Sequence, residues 1–318
     1  MKYVNNFTQY INESYLAETF QRFYFLVREE VPITKDNPMS VLMGKGRNKI
    51  FDEMVLTGSN YNSLPIQKGI PILNYTKDND LIQKLLDEKL IDKTCLYNKP
   101  NESLLVDNKV IFHKVFRGSS HVPKTVFTIK DAETLKFPVI AKPKDGKSAE
   151  GIQKFNKLED LKKSKEMFDL FSEAINIKEE YRCFCFKDDI MELNRREKRK
   201  GAKDFLKDSK TTTEFAYIKV NPTKFKAIQK LTALMNECRK RVSLDFYSLD
   251  FAEDVSGDLY LIEMNSRTGM GVDKMTKLYR FMYEDFYKRK LNKFSEEALV
   301  NLEKEWKEAF EKNIKGDY

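Results

Sequence analysis

Two short segments in which apolar and polar residues alternate constrain the fold of this chain most. They span residues 247–253 and 259–265, on either side of Ser256-Gly257. A period of two residues is typical of a β-strand with one buried face, and a glycine-containing pair suits a tight hairpin turn. The pattern therefore predicts an antiparallel hairpin with a two-residue turn at Ser256-Gly257.

Two carboxylates lie opposite each other in this predicted hairpin. A two-residue turn pairs Asp250 with Glu263, and Asn265 points to the same face as Glu263. Opposed carboxylates repel each other unless a cation lies between them, and oxygen donors suit Mg²⁺. The pattern indicates a metal site, with a solvated polar face as the alternative. The other face is predicted to be apolar and to consist of Leu249, Phe251, Tyr260, Ile262 and Met264.

A lysine at the end of an apolar strand precedes a loop of small residues. Residues 137–143 predict a strand that ends at Lys142 and Pro143, and the loop 144–151 contains two glycines. Backbone N–H groups of such a loop can approach phosphates, with the lysine as counter-charge. The Walker A pattern is absent, and an ordinary Lys-Pro turn is the simpler alternative.

A basic run follows in the second half of the chain. Six of the ten residues in 194–203 are basic and one is acidic. Two interpretations remain open: a solvated loop, or a clamp over phosphates or an acidic substrate. The net charge of +8 and the pI near 9.0 are compatible with a nucleotide, a phosphorylated substrate or nucleic acid.

Histidine and cysteine usage excludes several kinds of site. Two histidines cannot form a His-rich metal centre, and the four cysteines contain no C-x-x-C pair, so zinc is not expected. Cys183 and Cys185 are predicted to be buried reduced thiols on one strand face. No long apolar run and no signal-peptide pattern is present, which predicts a cytoplasmic protein without a membrane span.

The remaining periodicity predicts alternating helices and strands in about two domains. Short apolar runs between residues 38 and 106 fit a small α/β domain. Helical spacing covers 7–28, 81–90, 107–116, 158–171, 223–241 and 273–315, and strand alternation covers 181–186 and 214–220.

Taken in chain order, these elements resemble the ATP-grasp superfamily. The resemblance covers residues 107–275, about half of the chain, and rests on seven short motifs in a fixed order. They are Asp107-Asn108-Lys109, Val122-Pro123-Lys124-Thr125, residues 137–151, Glu173-Ala174-Ile175, Glu180-Tyr181-Arg182, Leu249-Asp250-Phe251 and Glu263-Met264-Asn265.

The resemblance implies an α+β fold in which two α+β subdomains clasp ATP. Residues 107–178 would form the lid subdomain and 179–275 the metal-binding subdomain. Residues 1–106 would form an N-terminal helix and the small α/β domain that often precedes such a module, and 276–318 would form C-terminal helices.

The resemblance also assigns the groups around ATP. Lys109 and Lys142 look like the two lysines that contact the phosphates. Glu173 and Ile175 match the hinge that reads adenine, partly through backbone groups, and Glu180 matches the acid that holds the ribose. The mobile lid over the phosphates would be the loop 144–151, with Lys144, Ser148 and Gly151.

The metal and the reacting groups are assigned in the same way. Asp250, Glu263 and Asn265 match the ligands of one or two Mg²⁺ ions, which Mn²⁺ could replace. Arg195 resembles a basic residue that reaches the terminal phosphate or acyl phosphate, with an alignment that allows a shift of one residue. Many relatives have an arginine at the position of Ser248, and Arg267 could supply that missing charge. The predicted catalytic groups are therefore Lys142, Arg195 and Arg267.

The resemblance predicts an ATP-dependent ligase that forms a C–N bond between a carboxylate and an amine through an acyl phosphate. The substrates would be small molecules or peptides, and an acidic polymer is a further possible acceptor. The alternatives are an ATP-grasp kinase that phosphorylates a hydroxyl, and a basic protein that binds nucleic acid through residues 195–203.

Overall fold

The computed structural model describes residues 24–28, 52–56, 71–75, 79–144, 151–164, 167–198 and 215–269, together with residues 274, 277–278, 281–282 and 284–286. The chain forms two compact units, which we describe separately. Met1–Pro100 and Gly269–Tyr318 make up the first unit, and Asn101–Thr268 makes up the second. The domain boundaries expected from the sequence stay a prediction.

The first unit contains a parallel sheet with α/β character, as expected. Its strands are β1 (Tyr24–Arg28), β2 (Asp52–Leu56), β3 (Ile72–Asn74) and β4 (Leu96–Tyr97), in the order β2-β1-β3-β4. Helix α1 (Asn79–Asp87) packs Ile82 and Leu85 against Ile72 and Leu96.

The helix predicted over residues 7–28 is wrong at its C-terminal end. Residues Tyr24–Arg28 form a strand that pairs with both β2 and β3, because parallel pairing on two sides outweighs a local helical spacing. The rest of that helix, residues 7–23, lies outside the described residues. Within the same unit, the Tyr97 hydroxyl lies 3.2 Å from the Met282 carbonyl and 2.9 Å from Asp285 Oδ2, and its one proton can be donated to either acceptor.

The second unit contains two sheets, of which the first has four antiparallel strands. They are β5 (Thr125–Val126), β6 (Val139–Lys142), β7 (Gln153–Phe155) and β8 (Leu170–Glu173), in the order β5-β8-β6-β7. Helices α4 (Ile129–Ala132) and α5 (Leu158–Lys163) contribute to its core. The helix predicted over 158–171 therefore ends early, since Leu170–Glu173 pairs with β6 instead.

The second sheet has five antiparallel strands in the order β11-β10-β9-β12-β13. They are β9 (Ile177–Phe186), β10 (Asp189–Lys198), β11 (Phe215–Val220), β12 (Phe246–Asp254) and β13 (Leu259–Asn265). The interpretation of the basic run as a loop is wrong for residues 194–198, which belong to β10. The rest of that run lies outside the described residues.

One face of the five-stranded sheet, here called the core face, is covered by helices. Helices α2 (Pro100–Asp107), α3 (Lys109–Val115) and α6 (Ile228–Arg241) contribute side chains to this core, and a 3-10 turn (Pro222–Lys224) precedes α6. All four cysteines of the chain are buried free thiols, as expected for Cys183 and Cys185. The core face of the sheet carries Tyr181, Cys183, Cys185, Leu193, Tyr247, Leu249, Phe251, Leu259, Leu261 and Met264.

The hairpin of β12 and β13 has the predicted partner for Asp250, but not the predicted turn. Asp250 lies opposite Glu263, whereas Phe251 lies opposite Leu261, so Ile262 is an extra residue in the ladder. The Asp254 N–H donates to the Asp258 carbonyl at 2.9 Å, which leaves a three-residue connection, 255–257, one residue longer than expected. A β-bulge at Ile262 restores the register that the longer turn shifts.

The bulge also changes which residues of β13 face the core. Leu259 and Leu261 are buried in the core cluster, together with Met264, while Tyr260 and Ile262 are partly exposed. The prediction that Tyr260 and Ile262 lie on the apolar face is therefore wrong. No helix among the described residues is long and apolar enough to cross a bilayer.

Candidate functional site

The face opposite the core face, here called the polar face, carries charged side chains at adjacent positions on three neighbouring strands. Arg182 of β9, Asp250 of β12 and Glu263 of β13 are aligned in one row across the sheet. Residues two positions apart on a strand share a face, so Glu180 and Asn265 belong to the polar face as well. The register thus brings all three predicted metal ligands to one corner of the sheet.

The two carboxylates of this corner are directly opposed and partly withdrawn from water. Burial raises the pKa of Glu263, and the Asp250 carboxylate raises it further. The positive charges of Lys109, Lys142 and Arg182 act in the opposite direction. A cation bound between Asp250 and Glu263 would therefore stabilise the ionised forms of both carboxylates.

Arg182 binds Asp250 through two parallel hydrogen bonds. Its Nε and Nη2 donate to the two carboxylate oxygens of Asp250, each at 2.6 Å. Burial alone would lower the pKa of Arg182, but its hydrogen bonds to Asp250 raise it overall. Its guanidinium also lies 5.6 Å from the ring centroid of Tyr217 on β11. No role for Arg182 was predicted from sequence patterns, because its pairing with Asp250 depends on which strands are neighbours in the sheet.

Two lysines from other elements direct their charge at Glu263. Lys142 ends β6 in the four-stranded sheet, and Lys109 begins α3. Burial lowers the pKa of Lys142 to about 8, while Glu263 opposes this shift and Lys109 adds to it. Lys109 is placed by an N-cap at Asn108, whose side chain accepts hydrogen bonds from the Val110 and Ile111 N–H groups at 2.9 and 3.1 Å.

A buried histidine lies beside this lysine pair. His113 is one helical turn after Lys109 on α3, and only 6% of its surface is exposed. Burial lowers its pKa to about 3, and the charge of Lys142 contributes, so the imidazole is neutral. Its Nδ1 has no hydrogen-bond partner among the described residues. The sequence held no motif around His113 that would have signalled this position.

The two neighbouring arginines of β10 lie on opposite faces of the sheet. Arg196 is opposite Glu180 on the polar face, and its Nη1 donates to Glu180 Oε2 at 3.1 Å. Burial raises the pKa of Glu180, and Arg196 opposes that shift. Arg195 is opposite Tyr181 and forms ion pairs with Glu179, at 3.9 Å, and Glu197.

This register corrects the assignment of Arg195. Side chains at successive strand positions point to opposite faces, so Arg195 is on the side of the core face and not near Asp250 or Glu263. The one-residue shift left open in the sequence therefore favours Arg196 as the basic residue of β10 on the polar face.

Arg267 follows the predicted metal ligand Asn265 and is bound by an acid from another element. Its Nη2 lies 2.5 Å from Asp107 Oδ2, and the hydroxyl of Ser266 donates to Asp107 Oδ1 at 2.8 Å. Ser248, where the family resemblance led us to expect an arginine, is fully buried opposite Asn265. The Ser248 hydroxyl has no hydrogen-bond partner among the described residues.

The predicted adenine hinge connects the two sheets of this unit. Glu173 ends β8, and β9 begins at Ile177. The Glu173 N–H donates to the Lys124 carbonyl at 3.0 Å, and its carboxylate accepts from the Lys136 N–H at 3.0 Å. The Ile175 carbonyl accepts from the Ile177 N–H at 3.1 Å. Both predicted hinge residues thus lie at the crossing between the sheets.

The predicted lid is described at its two ends. The Lys144 N–H donates to Asp169 Oδ2 at 2.8 Å. Gly151 has a φ of +71°, and a Cβ there would meet Pro143 Cγ at 3.0 Å, so glycine suits this close approach. Ser148 and the rest of 145–150 lie outside the described residues.

The donor atoms of this corner suit a hard cation better than a transition metal. No group of three or more His, Cys, Asp and Glu side chains in the described part of the chain is arranged to hold a metal ion. The predicted set of two carboxylates and one amide consists of oxygen donors, which Mg²⁺ accepts together with phosphate oxygens and water.

A family model described as "ATP-grasp domain, R2K clade family 2" matches residues 116–279, just over half of the chain. The chain belongs to the ATP-grasp superfamily, in family 2 of the R2K clade. This confirms the family that the seven motifs indicated. No curated protein matches the chain in sequence.

Solved structures of other ATP-grasp proteins share the fold. D-alanine–D-alanine ligase from Bacillus anthracis superposes with a TM-score of 0.60 at 14% identity, over 85% of this chain and 99% of the ligase. VanG D-Ala:D-Ser ligase from Enterococcus faecalis gives 0.59 at 15% identity, over 84% and 98%.

A third structure, N5-carboxyaminoimidazole ribonucleotide synthetase from Thermotoga maritima, gives a TM-score of 0.52 at 13% identity, over 78% of this chain and 68% of the synthetase. At these identities the likeness concerns the fold. Together with the family match, it confirms the predicted α+β ATP-grasp fold.

Proposed function

We propose that this ATP-grasp protein is an ATP-dependent ligase that joins a carboxylate to an amine, with release of ADP and phosphate. The observation that carries the proposal is the row of Arg182, Asp250 and Glu263 on the polar face, with Lys109 and Lys142 beside it. This arrangement combines oxygen donors for a metal with cations for phosphates, which is what transfer of a phosphoryl group requires.

The residues present fit a magnesium ion. Burial and Asp250 both raise the pKa of Glu263, so the carboxylate pair would be stabilised by a shared cation. Asp250, Glu263 and Asn265 would hold the ion. When bound, Mg²⁺ neutralises phosphate charge and withdraws electrons from the transferred group.

The side chains around this corner have distinct proposed roles. Lys109 and Lys142 bind the phosphates, and Glu180 with the hinge at Glu173 and Ile175 binds the nucleoside. Arg182 holds the Asp250 carboxylate in a fixed orientation through its two hydrogen bonds. These groups place the γ-phosphate beside the predicted metal ligands.

The chemistry has two steps, and the chain needs cations for both. An oxygen of the substrate carboxylate attacks the γ-phosphorus, the bond to the β-γ bridging oxygen breaks, and ADP leaves. The amine then attacks the carbonyl carbon of the acyl phosphate, phosphate leaves, and the nitrogen loses a proton. Arg196 and Arg267 are the proposed cations that neutralise the charge developing on the transferred phosphate.

The acyl phosphate must be protected from water while the amine arrives. The loop 144–151 is the proposed lid for this purpose. Its Lys144 and Gly151 ends border Pro143, directly after Lys142, so closure of the loop would cover the phosphates.

The alternative of a nucleic-acid-binding protein receives little support from the described part of the basic run. Arg195 and Arg196 both form ion pairs with glutamates of neighbouring strands. Arg195 and Arg196 also lie at successive strand positions and therefore point to opposite faces of the sheet, so the described part of the run does not present one basic surface to a phosphate backbone. A kinase that phosphorylates a hydroxyl uses the same ATP site, so products must separate it from a ligase.

Calorimetry of ATP binding with and without magnesium tests the ATP site. We expect uptake of ATP that depends on Mg²⁺ in the wild type and is strongly weakened in Asp250→Asn. A matched control is Asp258→Asn, which removes a carboxylate at the far end of the same hairpin, where it pairs with Lys230 at 2.8 Å. Absence of magnesium-dependent uptake in the wild type would refute the proposal.

Mass spectrometry then separates ligase from kinase. A library of carboxylates and amines is incubated with the protein and MgATP. A ligase joins two substrates with loss of water, whereas a kinase adds one phosphoryl group to one substrate. Phosphoryl transfer to a hydroxyl without any condensed product would replace the ligase proposal by the kinase.

A further inference from the structure

An aspartate that the predicted site does not include connects two of its segments. Asp107 ends α2, immediately before the Asn108 cap of α3. Its two carboxylate oxygens bind consecutive residues: Oδ2 lies 2.5 Å from Arg267 Nη2, and Oδ1 accepts from the Ser266 hydroxyl at 2.8 Å. Ser266 and Arg267 directly follow the proposed metal ligand Asn265.

The surroundings of this contact are largely withdrawn from water. Ser266 is 1% exposed, and the side chains of Arg267 and Asp107 are 12% and 21% exposed. In such surroundings an ion pair with hydrogen bonds fixes orientation more firmly than one on an open surface. One carboxylate thus contacts both the hydroxyl of Ser266 and the guanidinium of Arg267, directly after β13.

The start of helix α3 does not depend on Asp107. Asn108 supplies the N-cap through its own side chain, which binds the Val110 and Ile111 N–H groups. Lys109 is therefore held by a separate set of contacts. The carboxylate of Asp107 is directed at Arg267 and Ser266 instead.

We propose that Asp107 is a positioning residue that orients Arg267 for the reacting phosphate. This inference rests on the proposed ligase function, in which Arg267 neutralises the transferred group. A planar guanidinium presents its N–H groups in a fixed fork. Fixing one end of that fork with a carboxylate determines where the other donors point.

The main test compares Asp107→Asn with the wild type. Asparagine keeps the size and one acceptor oxygen for Ser266, but it removes the charge that holds Arg267. We expect turnover at saturating ATP to fall by about tenfold to hundredfold, because small misplacements of a reacting group have effects of that size. The KM for ATP should change little, since Lys109 and Lys142 keep their own supports. Asp107→Glu should recover part of the loss.

Two matched variants control for a purely structural effect. Asp188→Asn breaks another ion pair of the same unit, between Asp188 and Arg239 Nε at 2.9 Å, and should leave turnover unchanged. Ser266→Ala removes the neutral partner of Asp107 and should lower turnover less than Asp107→Asn. A merely structural role would lower the melting temperature without this selective loss of kcat.

A second measurement does not depend on turnover. Phenylglyoxal modifies accessible arginines, and peptide mass spectrometry reports the rate at Arg267. We expect faster modification in Asp107→Asn than in the wild type, with unchanged rates at Arg239. Equal rates at Arg267 in both proteins would overturn the inference.

The failure of this inference differs from a failure of the proposed function. Wild-type kcat in Asp107→Asn, with normal magnesium-dependent ATP uptake, would overturn the role of Asp107 and leave the ligase proposal intact. Loss of ATP uptake in the wild type itself would refute the ligase proposal, and the modification rates at Arg267 would still decide whether Asp107 holds it.

Discussion

The core face and the polar face of the five-stranded sheet belong to the same strands but carry different kinds of side chain. The core face buries aliphatic, aromatic and thiol side chains under three helices. The polar face carries Arg182, Asp250 and Glu263 in one row. Arg195 and Arg196 show the division best, because these sequence neighbours lie on opposite faces. Strand register, more than sequence proximity, decides which residue can take part in chemistry.

The two faces also differ in their electrostatics. On the core face, burial raises the pKa of Cys185 and thereby keeps this thiol neutral. On the polar face, burial raises the pKa of Glu263, and burial lowers the pKa of Lys142, which approaches from the four-stranded sheet, so that both charged forms are less favourable than in water. Opposite shifts of adjacent acidic and basic groups are typical of functional sites. A metal ion and phosphates would stabilise both charged forms.

The largest loss of turnover is expected when one proposed metal ligand on the polar face is removed. Glu263→Gln deletes a negative charge from the polar face while keeping the shape of the side chain. We expect ADP release to fall by about a hundredfold to a thousandfold, as for loss of one electrostatic group in a preorganised site. Steady-state release of ADP measures this, and circular dichroism checks the fold.

The matched control lies on the opposite face of the same hairpin. Glu253 is a carboxylate of β12 that binds Lys178 at 3.0 Å, on the side of Tyr181. Glu253→Gln should keep near-normal ADP release. Similar turnover in the two variants would contradict the functional separation of the faces.

A substitution on the core face is expected to lower the free energy of unfolding rather than turnover. Leu193 is fully buried on β10, opposite Cys183. Leu193→Ala should lower the free energy of unfolding by about 2–5 kcal/mol, through lost burial and the cavity left behind. Denaturant titration measures this change. Turnover per folded molecule should remain near that of the wild type, and a selective loss of kcat would argue against the division between the faces.

The two arginines of β10 allow the sharpest comparison of the faces. Arg196→Met should lower turnover by about tenfold to hundredfold, because it removes a cation from the polar face and the partner of Glu180. Arg195→Met should have little effect on turnover, because its ion pairs with Glu179 and Glu197 lie on the other side. Steady-state kinetics of both variants decides, and a larger loss in Arg195→Met would restore the original assignment.

The hairpin shows how far the sequence could predict this site. Alternation and the acidic spacing predicted that Asp250 faces Glu263, and the structure has this pair. The predicted turn was one residue too short, and the bulge at Ile262 compensates for the difference. Single-sequence patterns contain no signal for such a bulge, so the orientation of Tyr260 and Ile262 was predicted wrongly.

Residues that meet only through tertiary structure were beyond the sequence patterns. Arg182 contacts Asp250 because β9 lies beside β12, although 68 positions separate them in the chain. Besides burial, the charge of Lys142 lowers the pKa of His113, although the two residues belong to different elements of the chain. The motif order still indicated Lys109 and Lys142, since family likeness carries information on contacts that spacing alone does not contain.

The smallest expected effect concerns the protonation of Lys142. Burial lowers its pKa to about 8, with Glu263 opposing and Lys109 adding to the shift. Only the protonated ammonium attracts phosphate, so the affinity for MgATP should be constant well below this pKa and decline above it. The decline should be at most about tenfold per pH unit, because one proton is involved. Calorimetry over a series of pH values measures it.

Lys142→Arg is the control that isolates this group. Arginine stays protonated because its pKa exceeds about 12, so the variant should bind MgATP with little change across the pH range in which the wild type weakens. His113 does not contribute to the expected decline, since burial keeps it neutral with a pKa of about 3. The same decline in the wild type and in Lys142→Arg would mean that another group titrates. In that case, the charge of Lys142 would not determine the affinity for the phosphates.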